Sequence, residues 1–259
     1  MTADDYKRAR KLAKQIAGTF AVPKFNTDFR AERDLSFRIL HSDPLLERSR
    51  RVVTDRDENF GHGLKHSEKV AVDAGVIVKK ERERQGFSPD QTDRHILLVQ
   101  LASLLHDVCR RMPDHAKQGA TAAKEILTDF PLQEIEREWI VQSIANHEAF
   151  VEPAPLDNPQ GQLLSDALYD ADKFRWGPDN FVETLWDMIS FNDVPIRLVI
   201  AHFPKGMKGI RRIIGTFRSS LGKQYGPEFI EIGLAIGDEL YEHLRKVFPP
   251  EEQTHSSYR

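Results

Sequence analysis

Apolar residues recur at helical spacing along most of this chain, and nowhere do they alternate with period two for long. Between Gly63 and Glu83, Val70, Ala74, Ile77 and Val78 share one stripe, as in a helix with one buried face. After Ser88-Pro89-Asp90-Gln91, the residues Ile96, Leu97, Leu98, Val99, Leu101, Ala102, Leu104 and Leu105 cover nearly a whole helical circumference. That predicts a central, buried helix. Ser88 and Gln91 supply a capping box, with proline at the first helical position. Further helices are expected from Asp114, as N-cap, to about Thr128, then from about Pro131 to Glu148 with Ile140 and Ile144 inward, and from about Gln162 to Phe174.

The C-terminal third predicts a helix near Asn180–Ser190 and another over about Val194–Leu221, with breaks at Pro204 and Gly206. A last long helix is expected to begin at Gly226-Pro227-Glu228 and to stop before Pro249-Pro250. Asp4–Ala17 reads as a helix, Phe20–Phe37 gives no assignable pattern, and Pro249–Arg259 reads as a frayed tail. No Asn-Gly or Asp-Gly hairpin signal, internal repeat or low-complexity linker interrupts the pattern. The expectation is an all-α fold in a single domain over residues 1–259.

Composition narrows the function classes. The chain is 40% hydrophobic and 30% charged with net charge −3, so no global basic field points to nucleic acid or to a membrane. A single cysteine, Cys109, excludes an intrachain disulfide and a Cys-rich zinc module. Residues Met1–Lys14 lack an apolar signal core, and no apolar run approaches the ~20 residues of a spanning helix. A soluble cytoplasmic protein is therefore expected.

The candidate chemistry lies on inward faces. His66 falls one turn before Val70, His62 drifts to the edge of that stripe, and His147 falls one turn after Ile144. The buried helix ends in His106-Asp107. Buried imidazoles and carboxylates are costly unless paired, and a divalent metal pairs them. His66 lies forty positions before His106, and Asp172 sixty-five after Asp107.

These residues carry a resemblance. His62-Gly63-Leu64-Lys65-His66, Leu104-Leu105-His106-Asp107-Val108 and Tyr169-Asp170-Ala171-Asp172-Lys173 are similar, in that order, to the motifs of the HD superfamily of metal-dependent phosphohydrolases. The resemblance implies an HD-domain-like helical bundle with a core over about residues 56–190. An N-terminal extension, a C-terminal helical extension over about 191–248 and the tail 249–259 would complete it. It implies a divalent ion (Mn, Fe, Mg, Zn, Co or Ni) held by His66, His106, Asp107 and Asp172. Periodicity does not choose between Asp170 and Asp172; position in the family motif favours Asp172. Members with two metals carry a His-His pair that this chain lacks, so one ion is expected, or a second bound weakly.

Around that set, Asp107, His115, His147 and Lys173 are the candidate catalytic residues, and Arg110, His115 and Lys173 the candidate phosphate contacts. The implied activity is hydrolysis of a phosphomonoester, nucleotide or phosphodiester through a metal-activated water. The partner would be a small phosphorylated molecule, with a nucleotide the leading choice. The alternative is a non-catalytic module of the same fold that binds a phosphorylated ligand or a protein. Outside the resemblance, residues 197–223 hold seven Lys or Arg and no Asp or Glu. A solvated helix face and an extended surface for a polyphosphate or nucleotide both fit that segment; direct nucleic-acid binding is the weaker reading. Trp139, Trp176 and Trp186 read as core.

Overall fold

The computed structural model describes residues 3–56 and 63–249. These form twelve α-helices and no strand. The all-α expectation therefore holds. The expectations for His62 and for residues 250–259 lie outside the described residues.

The centre is built from the two helices with the most continuous apolar pattern. Helix α6 (Pro89–Leu105) is buried at every position from His95 to Leu105. It packs along α5 (Leu64–Arg84) more extensively than any other helix pair does. Ser88 caps α6 as predicted, accepting from the Gln91 N–H while the Gln91 side chain accepts from the Ser88 N–H. The one amide deep in α6, Gln100, donates through Nε2 to the carbonyl and hydroxyl of Ser36 at 2.8 and 2.9 Å, which satisfies its buried donor.

Helices α7 (His115–Ile126), α8 (Glu134–Ala145) and α9 (Pro159–Phe174) follow the predicted order. Asn158 Oδ1 caps α9 by accepting from the Gln160 and Gly161 N–H groups. One local expectation fails. Asp114 stands at the start of α7 in the left-handed region, with φ 50°, and its side chain makes no cap hydrogen bond. Asp tolerates that conformation, which aims the chain into α7 without a cap.

The unassigned N-terminal stretch is helical. After α1 (Ala3–Ala17) come α2 (Lys24–Asp28), α3 (Arg30–Ser42) and α4 (Pro44–Arg56). Asp43 Oδ1 accepts from the Leu45 N–H at 2.8 Å and the Leu46 N–H at 3.3 Å, and Pro44 opens α4, a helix start that the sequence reading missed.

At the other end, a π-helical turn over Asn180–Thr184 leads into α10 (Leu185–Phe191) and then α11 (Ile196–Arg212). Pro204 lies inside α11 and does not break it. The break falls after a 3-10 turn at Ile213–Thr216. Helix α12 (Ser220–Val247) begins seven residues before the expected Pro227, which sits in its interior. Ser219 is the true cap, accepting from the Gly222 N–H. Each interior proline removes one hydrogen bond from a long helix, and tertiary packing outweighs that loss.

The terminal helices are continuous with the core. Phe174 of α9 stacks on Phe229 of α12 with centroids 4.3 Å apart, and Phe25 of α2 meets both rings edgewise or tilted. A Cβ on Gly233 would come within 2.7 Å of the Gly177 backbone, so α12 runs against the chain just past α9 at a spacing that only glycine permits. Beneath this, the fully buried Asp73 of α5 receives Arg33 of α3 at 3.0 Å and also pairs with Arg175, which reaches Asp179 at 2.6 Å. This ion network joins α5 to the end of α9, the two helices that bring His66 and Asp172 together.

Candidate metal centre

Helix ends, more than helix faces, assemble the site. His66 comes from the first turn of α5 and Asp172 from the last turn of α9. His106 and Asp107 lie just past the end of α6, His115 opens α7, and His147 lies two residues past α8. His66 Nε2 is 3.2 Å from Asp172 Oδ1, and His106 Nε2 is 3.4 Å from Asp107 Oδ2 and 3.8 Å from Asp172 Oδ1. The four expected ligands are therefore together.

A second cluster shares the same carboxylate. Asp107 Oδ1 is 3.4 Å from His147 Nε2 and 3.9 Å from His115 Nε2. Donor atoms of His66, His106 and Asp107, and separately of Asp107, His115 and His147, all lie within 4.8 Å of one another. Two donors each bound at ~2.0–2.2 Å to one tetrahedral ion stand about 3.3–3.6 Å apart, so both groups have spacing near that of a metal site. The buried His/Asp residues could hold a metal ion. The single-ion expectation meets a second three-donor group that needs no His-His pair, because residues remote in sequence supply it.

Hydrogen bonds at the back of two rings leave their inward nitrogens suited to bind an ion. His106 Nδ1 lies 2.7 Å from the Ser103 carbonyl, and His147 Nδ1 lies 2.6 Å from the Ile144 carbonyl. A carbonyl only accepts, so each Nδ1 carries the proton and each Nε2 presents a lone pair inward. Both Nε2 atoms are buried and have no hydrogen-bond partner among the described residues. That is a cost in an empty protein interior and an ordinary arrangement around an ion.

Electrostatics agree. Burial pushes the His106 imidazole down to about 4, against the opposing pull of Asp107. It is neutral at physiological pH, the form that ligates. Burial, then the Arg110 charge, lowers His115 as well. Burial acts to raise the Asp172 carboxyl, but Lys173 and His66 outweigh it and hold it well below the usual carboxylate range.

The remaining predicted residues surround this centre. Arg110 Nη1 donates to His115 Nε2 at 2.7 Å and lies 4.0 Å from Asp107 Oδ1. Lys173 donates to Asp172 Oδ2 at 2.5 Å and to the His147 carbonyl at 2.9 Å. Asp107, Arg110, His115, His147, Asp172 and Lys173 all line one open pocket of about 230 Å³.

The structure also separates the two acidic candidates of α9. Asp172 faces the site. Asp170 turns away, and its two oxygens accept from the Arg218 N–H at 2.8 Å and the Ser219 N–H at 2.7 Å. Burial nevertheless pushes its carboxyl up to about 7. Of the basic segment, Arg218 turns inward, with its guanidinium 3.5 Å from the Tyr169 ring centroid and donating to the Asn146 carbonyl. Lys205, Lys208, Arg211 and Arg212 stay exposed on α11.

Four pocket residues escaped the sequence reading: Glu148, Ala149, Phe150 and Trp176. Trp139 and Trp186 are buried as expected, whereas Trp176 is part of the pocket wall. Proximity to His147 was the available signal for Glu148 and Phe150. No helix among the described residues is long and apolar enough to cross a membrane. The chain matches no protein-family model, no curated protein and no solved structure.

Proposed function

We propose that the protein is a metal-dependent phosphohydrolase acting on a small phosphoester, a nucleotide first among the candidates. The reading is carried by one observation: buried Asp107 lies within 4 Å of His106, His115 and His147, with histidine Nε2 lone pairs converging beneath an open pocket. The similarity of the His66, His106-Asp107, Asp172 set to the HD superfamily supports the same reaction class.

In this reading His66, His106, Asp107 and Asp172 hold one divalent ion, and Asp107, His115 and His147 hold a second, weaker one. A bound ion would supply Lewis acidity and a water acidified from about 15.7 towards ~7. The chain's own groups do the rest. Arg110 stands at the pocket wall, where its guanidinium can meet a phosphoryl oxygen. On engaging a phosphate it would release His115 Nε2, which then serves either as a ligand or as a proton donor to the departing alcohol oxygen. Lys173, held by Asp172 and the His147 carbonyl, fixes the Asp172 carboxylate from behind.

The test begins with elemental analysis of the purified protein. A panel of nucleotides and simple phosphoesters, supplied with the metal found and with Mn²⁺, then follows. Turnover that disappears together with bound metal in Asp107→Ala and His106→Ala, at unchanged helical content, supports the reading. Full metal-dependent turnover in either variant refutes the site. Ligand binding without turnover across the panel favours a non-catalytic phosphate-binding module.

A further inference from the structure

Three described non-glycine residues have positive φ: Asp114, Phe150 and Asp193. Aspartate adopts that region with modest strain, because its short polar side chain can bond locally. Phenylalanine has no such compensation, so a bulky residue at φ 66° is held there by its surroundings. Burial is not what holds it, since Phe150 is 51% exposed. Phe150 instead lines the pocket that Asp107 also lines. The guanidinium of Arg212, at the end of α11, sits 4.2 Å from the ring centroid, a cation–π contact that favours this ring position by about 0.5–1 kcal/mol at an exposed site. An exposed aromatic ring in a disfavoured backbone conformation, clamped by a cation at the mouth of a polar pocket, resembles a stacking platform more than a packing residue.

Pocket size points the same way. About 230 Å³ falls below the ~300–1,000 Å³ of sites that enclose a drug-sized ligand. A phosphoester with a large organic group must leave part of that group at the mouth, where Phe150 stands.

We propose that Phe150, clamped by Arg212, is a specificity-determining subsite that stacks a planar unsaturated ring carried by the phosphoester substrate, as in a nucleoside monophosphate. The phosphate would lie over Asp107 and Arg110, and the ring would lie on Phe150 at the rim. This rests on the reading of the pocket as a phosphoester site.

The test is equilibrium binding, with and without Mn²⁺, of AMP, ribose 5-phosphate and phenyl phosphate to the full chain. The wild type should bind AMP about tenfold or more tightly than ribose 5-phosphate, the scale of one ring stacked on an aromatic side chain. F150A should abolish that ratio, and F150W should keep it; circular dichroism checks that both variants fold. A gain confined to phenyl phosphate would assign the same platform to aryl phosphates. Equal affinities for all three probes in the wild type, no binding of any, or an AMP preference that survives F150A would overturn the proposal. Hydrolysis of the same probes separates it from the proposed activity. A ring preference in binding without turnover refutes the hydrolase reading alone, whereas turnover without ring preference refutes the subsite alone.

Discussion

Lys173 and Asp172, neighbours in sequence, form a buried ion pair with Nζ 2.5 Å from Oδ2. Adjacent helical residues ordinarily point apart. Here the lysine bends back, gains the His147 carbonyl as a second acceptor, and keeps the carboxylate ionised where burial would protonate it. Lys173→Met should therefore leave Asp172 as a buried charge with too few partners, a change that costs about 3–5 kcal/mol. The loss should shrink when Mn²⁺ is added, because an ion restores the missing countercharge. Denaturant titrations with and without Mn²⁺ measure both; a loss that metal does not relieve would remove Lys173 from the site.

Two three-donor groups joined through Asp107 predict a two-step metal isotherm. Calorimetric titration with Mn²⁺ should resolve a tighter and a weaker ion in the wild type. His147→Ala should retain the tighter one, and Asp107→Ala should retain neither. A wild-type isotherm with one step, identical to that of His147→Ala, would return the site to a single ion.

The imidazole of His106 gives the metal-free protein a pH limb. Its folded value is about 4 and the unfolded value about 6.5. Above 6.5 it is neutral in both states and exerts no effect. As pH falls from 6.5 to 4 the unfolded chain takes up the proton first, so stability declines, by about 3 kcal/mol in full, and then levels off. His106→Gln should lose this limb in denaturation midpoints measured across that range. An unchanged slope would mean that His106 does not carry it.

Asp170 and Asp172 should part company on substitution. Asp170→Ala strips the acceptor from the Arg218 and Ser219 N–H groups at the start of α12, a cost of about 1–3 kcal/mol for a buried donor left unmet. It should leave bound metal intact. Asp172→Ala should do the reverse to the metal. Gly222→Ala, which would push a Cβ to 2.0 Å from Asp170 Oδ2, should destabilise without altering metal content. Metal loss in Asp170→Ala would undo this division of roles.

How far the sequence was legible follows from which forces act at each position. α5 to α9 were readable because each repeats an apolar face over several turns or opens with a side-chain cap. α2 to α4 were not: α2 has only five residues, α3 and α4 are more polar than α5 to α9, and their one clear mark, Asp43-Pro44, is two residues long. Pro227 misled because its local preference for a helix start yields to the packing of α12 on Phe174 and Gly177. At the site, inward periodicity found His66 and His147, and the similarity to the HD superfamily selected Asp172. Which of Asp170 and Asp172 faces a metal depends on where α12 begins, a long-range matter. Phe150 was invisible for a related reason: neither its exposure nor its backbone conformation is written in residue type.

The carbonyls of Ser103 and Ile144 belong to the last turns of α6 and α8, where every helix leaves acceptors without internal partners. Here two such end-of-helix carbonyls orient the imidazoles of His106 and His147, that of Ile144 while also accepting from the His147 N–H at 3.3 Å, so the orienting parts are main chain. Alanine scanning would pass over them entirely. What governs them is helix length: one residue added to or removed from the end of α6 or α8 would turn the following histidine through about 100° and detach the ring from its carbonyl. In this protein the reach of each of these two imidazoles is set by counting residues, and sequence drift that preserves every named side chain could still dismantle the His/Asp cluster through a single insertion.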